Sequence, residues 1–138
     1  MTKHIDRETE TRMVRVTPDA IDPAKIYDLI ATTTAGSVVV HYAVVKPQAG
    51  VGGTTSYIDY GTNGDTEAEL RDMAAGLAAE FNLEDVLLIR RTGRLRVGEI
   101  ISLAAVSSPN SGDAFESCKQ AISRLKKMKT IVKTEVCG

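Results

Sequence analysis

Gly36 is followed by nine residues, Ser37-Val38-Val39-Val40-His41-Tyr42-Ala43-Val44-Val45, that contain no Asp, Glu, Lys or Arg, and Lys46-Pro47 ends the run. β-branched side chains lose rotamer freedom in a helix and fit a pleated surface, so the run specifies a strand. Its length and apolar character predict a long, well-buried one. Proline has no N–H to give to a ladder, which stops the strand at Pro47. A strand cannot stand alone, and the rest of the chain is read for what pairs with it and covers it.

Met13-Val14-Arg15-Val16 predicts a short strand. Asp22-Pro23 opens a helix, Asp as N-cap and Pro at the first helical position, with Ile26, Leu29 and Ile30 on its apolar face. Gln48-Ala49-Gly50-Val51-Gly52-Gly53-Thr54 predicts a flexible loop, and residues 47–54 are expected to be mobile and to shape the entry to a site or a partner surface. Ser56–Tyr60 resumes as a strand, giving a hairpin-like pair with the first long run. Thr66-Glu67-Ala68-Glu69 has the form of a capping box, and Leu70, Met73, Ala74, Leu77 and Phe81 line one face of the helix it opens. Val86–Arg91 and Ile100–Val106 are strands, with a turn at Thr92-Gly93. Asp113, with Glu116 three residues on, caps a last helix that keeps Phe115, Ile122 and Leu125 inward, and Thr130–Val136 closes the chain as a strand. Strand pairs that follow each other without a helix disfavour an all-parallel doubly wound sheet. The expected fold class is α+β, a mixed, mostly antiparallel sheet packed by helices. At 138 residues the chain makes one domain, 12–138, after a loose charged tail over 1–11.

Function classes fall away in turn. Cys118 and Cys137 match no Cys-x-x-Cys spacing, and His4 and His41 are the two histidines, so no metal site is expected. His4 in a tail and His41 in a strand also make a Ser-His-Asp triad implausible. Trp is absent and aromatics make up 4%, which argues against stacking on nucleic acid. No apolar run reaches the ~20 residues of a membrane helix, and the charged start lacks a signal core. The expectation is a cytoplasmic protein with neither nucleic acid nor membrane as partner. The net charge of −1 conceals a split: residues 90–133 hold ten basic and three acidic side chains, a net +7, against −8 elsewhere. That polarity suggests an anionic ligand or a solvated basic surface.

Three local features remain. The loop over 50–55 matches neither a P-loop nor a dinucleotide fingerprint and reads as a hairpin loop. Ser108–Asp113, between a strand end and a helix start, reads as a self-capped helix rather than an anion site. Lys126 and Lys133, seven residues apart, converge on one pocket if the chain reverses between them; otherwise Lys126, Lys127 and Lys129 complement a helix C-terminus.

Arg91-Thr92-Gly93-Arg94-Leu95-Arg96-Val97-Gly98-Glu99 resembles the arginine/isoleucine-Gly-x-Leu-x-x-Gly turn of the molybdopterin synthase large (catalytic) subunit family. The likeness continues through Val106-Ser107-Ser108, Ala114-Phe115-Glu116 and Leu125-Lys126 to Lys133-Thr134-Glu135, similar to that family's Leu-Lys…(Trp)-Lys-x-Glu ending. Upstream, Gly36-Ser37-Val38-Val39 and Lys46 are similar to a Gly-Ala-x-x-x-Phe-x-Gly-x-Val-Arg strand, and Tyr57–Tyr60 to a Leu-Glu-Tyr-like strand.

The resemblance implies an α/β-hammerhead-like fold and a sulfurtransferase. Its substrate would be cyclic pyranopterin monophosphate, converted to the molybdopterin dithiolene, with no permanently bound cofactor. Sulfur would arrive on the thiocarboxylate of a ubiquitin-like small subunit ending in Gly-Gly, a homodimer of large subunits carrying small subunits at its ends as a heterotetramer. The family's two essential lysines fall on Lys126 and Lys133, its strand-end arginine on Lys46, and its His-Arg pair on Asn110 and Ser111. Its proline and tryptophan between the lysines fall on Thr130 and Val132. Lys46, Arg90 and Lys129 are the candidate substitutes for substrate binding. The rival expectation is a catalytically impaired paralogue, a dimeric binding module for a ubiquitin-like tail.

Overall fold

Two almost wholly buried strands, β5 (Asp85–Arg91) and β7 (Ile100–Ser108), form the middle of the protein. The computed structural model describes residues 13–50 and 53–137; the expected tail over 1–11 and part of the loop over 47–54 lie outside the described residues. The first sheet runs β1 (Met13–Thr17), β5, β7, β2 (Ser37–Val44). β1 lies parallel to β5, and the β5–β7 and β7–β2 pairs are antiparallel. Both faces of this sheet are covered, which is why its central strands read as near-continuous apolar runs.

Alternation along β5 and β7 divides the core in two. Val86, Leu88, Ala104 and Val106 pack under the two long helices, α2 (Thr66–Glu80) and α3 (Ser111–Lys126). Leu87, Ile89, Leu103 and Ala105 face the other way, against Ile26 and Ile30. The segment opened by Asp22 is less regular than expected. Asp22 does cap it, accepting the Ala24 N–H at 3.0 Å, but a 3-10 turn (Pro23–Lys25) leads into a single α-turn, α1 (Ile26–Leu29).

The second sheet has β4 (Gly53–Thr62) at its centre, between β6 (Gly93–Arg96) and β8 (Ile131–Cys137), with the two-residue β3 (Ala49–Gly50) paired to its start. Val45, Ile58, Tyr60 and Leu95 make its small core. β6, read in the sequence as part of a turn, is a strand because Gly93, at φ +94°, redirects the chain after β5 so that Tyr57–Tyr60 can pair with it. The fold is thus α+β, with a mixed four-stranded sheet and a smaller antiparallel one.

Four local expectations change. β2 and β4 do not pair with each other, since β2 joins β7 and β4 joins β6 and β8. β2 is an edge strand and half-buried rather than well buried, with Val40 and Val44 exposed. The helix caps sit one and three residues earlier than expected: Asp65 accepts the Ala68 N–H and Asn110 accepts the Asp113 N–H. Glu69, the expected second half of the capping box, is engaged elsewhere. Phe115 is 66% exposed, because Ala114, Cys118, Ala121 and Leu125 take the inward face of α3.

Candidate functional site

α3 ends at Lys126, and the chain reverses within four residues to enter β8 at Ile131. A carboxylate from another helix holds that reversal. Glu69 on α2 accepts the Lys129 N–H at 2.8 Å, the Thr130 N–H at 3.0 Å and the Thr130 hydroxyl at 2.5 Å. Burial pushes the Glu69 pKa up, but the Thr130 hydroxyl, the two amides and the Lys129 ammonium outweigh it and hold the group below its ordinary value. The Thr130 carbonyl in turn accepts the Asn63 N–H at 2.7 Å. Lys126 and Lys133 are therefore carried on the two limbs of a pinned turn.

Both line one cavity of about 620 Å³ between the two sheets and the C-terminal end of α3. The period of two along β8 explains which side chains reach it: Ile131, Lys133 and Glu135 line it, and Val132 and Thr134 between them do not. Lys133 pairs in register with Tyr60 and Glu135 with Ile58, both also in the lining. Glu135 accepts a hydrogen bond from the Thr55 hydroxyl.

Lys46 reaches the same cavity from the end of β2. It is anchored by Val45, 1% exposed, whose N–H and C=O pair with the Glu99 C=O (3.0 Å) and the Gly98 N–H (2.8 Å). Arg90 enters from β5 and is 7% exposed, its guanidinium carbon 4.5 Å from the centroid of the Tyr60 ring. Burial lowers the Arg90 pKa, and Tyr60 opposes that shift; burial raises Tyr60, with Arg90 lowering it and Glu135 raising it. Arg90 Nε has no hydrogen-bond partner among the described residues. A buried guanidinium satisfied on one face by a ring and with a donor unspent is suited to an anion.

Four of the seven residues singled out in the sequence thus share one cavity: Lys46, Arg90, Lys126 and Lys133. The other three do not line it. Asn110 and Ser111 begin α3, a 16-residue helix away from Lys126, or about 24 Å at 1.5 Å per residue. Asn110 is committed as the cap, also donating from Nδ2 to Asp113 at 3.0 Å. Lys129 is exposed on the reversal. Sequence reasoning missed Tyr60, Glu135 and His41, which also lines the cavity. The signal was present in part, since Glu135 is two residues from Lys133 and shares its face of a strand. Among the described residues no cluster of three or more His, Cys, Asp or Glu is placed to hold a metal, and no helix is long and apolar enough to cross a membrane.

The family model described as MoaE protein matches residues 16–128, a stretch that contains Lys46, Arg90 and Lys126 and ends before Lys133. Over 63 residues, 46% of this chain, the sequence is 33% identical to the molybdopterin synthase catalytic subunit of Caulobacter vibrioides. That alignment spans 42% of the relative's length. Molybdopterin synthase from Staphylococcus aureus superposes with a TM-score of 0.81 at 24% identity, over 89% of this chain and 90% of that one. Molybdopterin cofactor biosynthesis protein E from Burkholderia multivorans gives 0.78 at 26% identity, over 91% and 84%. A Helicobacter pylori complex of subunits 1 and 2 of molybdopterin-converting factor contains a chain with the same fold, at 0.71 and 14% identity, over 90% and 84%.

Proposed function

The chain belongs to the MoaE protein family, and from that premise we propose that it is the catalytic subunit of a molybdopterin synthase. It transfers sulfur from the C-terminal thiocarboxylate of a ubiquitin-like small subunit to cyclic pyranopterin monophosphate, forming the dithiolene of molybdopterin. The observation that carries this reading is the convergence of Lys126 and Lys133 on one cavity with Lys46 and Arg90. Both reactants are anions, and a cavity with four cationic side chains attracts and orients them. Lys126 and Lys133 are assigned the catalytic role: one ammonium holds the thiocarboxylate, the other stabilises negative charge developing on the substrate. Removal of one such fixed donor ordinarily costs a factor of about 10²–10³ in rate. Lys46 and Arg90 are assigned the substrate's phosphate. Asn110, Ser111 and Lys129 stand outside the cavity, so the assignment rests on the other four.

The partners follow from the same reading: a small subunit with a Gly-Gly tail, bound to a homodimer of this chain in a heterotetramer. The Helicobacter pylori complex of subunits 1 and 2 supports pairing with a second subunit, and the cytoplasm is the compartment assigned to the protein. The test is dithiolene formation from purified protein, thiocarboxylated small subunit and precursor. Turnover that falls at least 100-fold in Lys126→Ala and in Lys133→Ala, with the small subunit still bound by the wild type, is the expected result. A wild type that binds the small subunit tightly and forms no dithiolene overturns the enzyme reading in favour of a binding module.

A further inference from the structure

Sulfur transfer moves protons as well as sulfur, and the groups assigned so far hold charge rather than pass protons. Arginine does not deprotonate in proteins, and Glu135 already accepts a hydrogen bond from the Thr55 hydroxyl. Tyr60 lies under the Arg90 guanidinium, and burial pushes its phenol further from neutrality. One residue in the lining has different chemistry. His41 is the one histidine among the described residues, and it lies on β2 opposite Ala104 of β7.

The strand places it well. Val39 packs into the core beneath α2 and α3, and a side chain two residues on points to the same face. His41 is therefore directed to the α3 side of the sheet, where Ile122 and Lys126 also line the cavity. It is half-buried, and among the described residues it makes no hydrogen bond or ion pair that would commit either ring nitrogen.

We propose that His41 is the general acid and base of the sulfur-transfer site. The proposal rests on the synthase reading above. In the first step the thiocarboxylate sulfur forms a bond to a hydroxyl-bearing substrate carbon. The C–O bond breaks, and the His41 imidazolium gives its proton to the leaving oxygen, which departs as water. In the second step water attacks the acyl carbon of the resulting thioester. The C–S bond to the small subunit breaks, leaving a carboxylate and a substrate thiol, and the neutral imidazole takes up the proton released. Histidine is regenerated in each cycle, and no oxidant or reductant is needed. In the family strand pattern that Gly36–Lys46 resembles, the position of His41 is a phenylalanine.

The charged and titratable groups that share the cavity with His41 are Tyr42 from β2 itself, Lys126 from α3, Tyr60 from β4, Arg90 from β5, Lys133 and Glu135 from β8, and Lys46 beyond β2. β7, its paired neighbour, has none. The experiment compares wild type, His41→Gln and His41→Ala in the dithiolene assay between about pH 5.5 and 9, with thermal unfolding and small-subunit affinity measured on each. General acid–base catalysis contributes about 10²–10⁴-fold, so kcat is expected to fall at least 100-fold in both variants. KM and small-subunit affinity are expected to stay within about twofold, and the limb of the kcat profile set by the imidazole is expected to disappear. Added imidazole is expected to restore part of the kcat of His41→Ala. If both variants fold and keep kcat within about threefold and the wild-type pH profile, the proposal is overturned while the synthase reading stands. If wild type itself makes no dithiolene at any pH, both fall.

Discussion

Removing the Glu69 carboxylate is expected to loosen the reversal that carries Lys126 and Lys133. Three donors converge on it, the Lys129 N–H at 2.8 Å, the Thr130 N–H at 3.0 Å and the Thr130 hydroxyl at 2.5 Å. A hydrogen bond to a charged acceptor contributes about 1.5–3 kcal/mol, but these share one carboxylate and water can reach the turn when it is gone. For Glu69→Ala the net cost is therefore about 2–3 kcal/mol rather than the sum. At roughly 3 °C per kcal/mol for a chain of this size, the midpoint of thermal unfolding falls by about 6–9 °C. Glu69→Gln keeps an acceptor without the charge and loses about 1 kcal/mol. The pH dependence has a definite sign. The Glu69 pKa is held below its ordinary 4.5, so the stability it contributes is complete above that value. It is lost as the pH falls through the lower folded-state value, and the gap between wild type and variant closes there. Circular dichroism melts of the three proteins between about pH 3 and 8 measure all of this. A Glu69→Ala midpoint within about 1 °C of wild type at pH 7 would falsify the clamp.

Leu103→Ala is expected to cost about 3 kcal/mol in urea unfolding, because Leu103 is fully buried between the sheet and α1 and its removal leaves a cavity. Glu84 binds the amides of Thr33 and Thr34 at 2.8 and 2.9 Å, so Glu84→Gln is expected to speed hydrogen exchange at those two amides while leaving β5 and β7 protected. Burial pushes the Cys118 thiol up to about 11, and it is expected to resist alkylation at pH 8 in the folded protein and to react only after unfolding.

The strands and the two long helices are legible in the sequence because their signals are local. A valine-rich run has few alternatives to a strand, and apolar residues at helical spacing mark α2 whatever lies around it. The +7 segment and the Lys126–Lys133 pair are legible in the same sense, as charge and spacing. What could not be read there depends on groups distant in sequence. Glu69 has the spacing of a capping box, yet its carboxylate goes to a turn some 60 residues on, and Asp65 takes the cap. The same valines fit a central or an edge strand, and only the pairing of β2 with β7, with nothing beyond it among the described residues, leaves His41 half-buried on a cavity wall. Arg90 is a basic residue in any reading of the chain. It becomes an anion-binding candidate because β5 is central and β4 lays Tyr60 across it, burying a charge whose Nε finds no partner among the described residues. Sequence periodicity determines which face a side chain takes, since the period belongs to one element. Which faces meet is decided by the packing of elements that local chemistry does not connect.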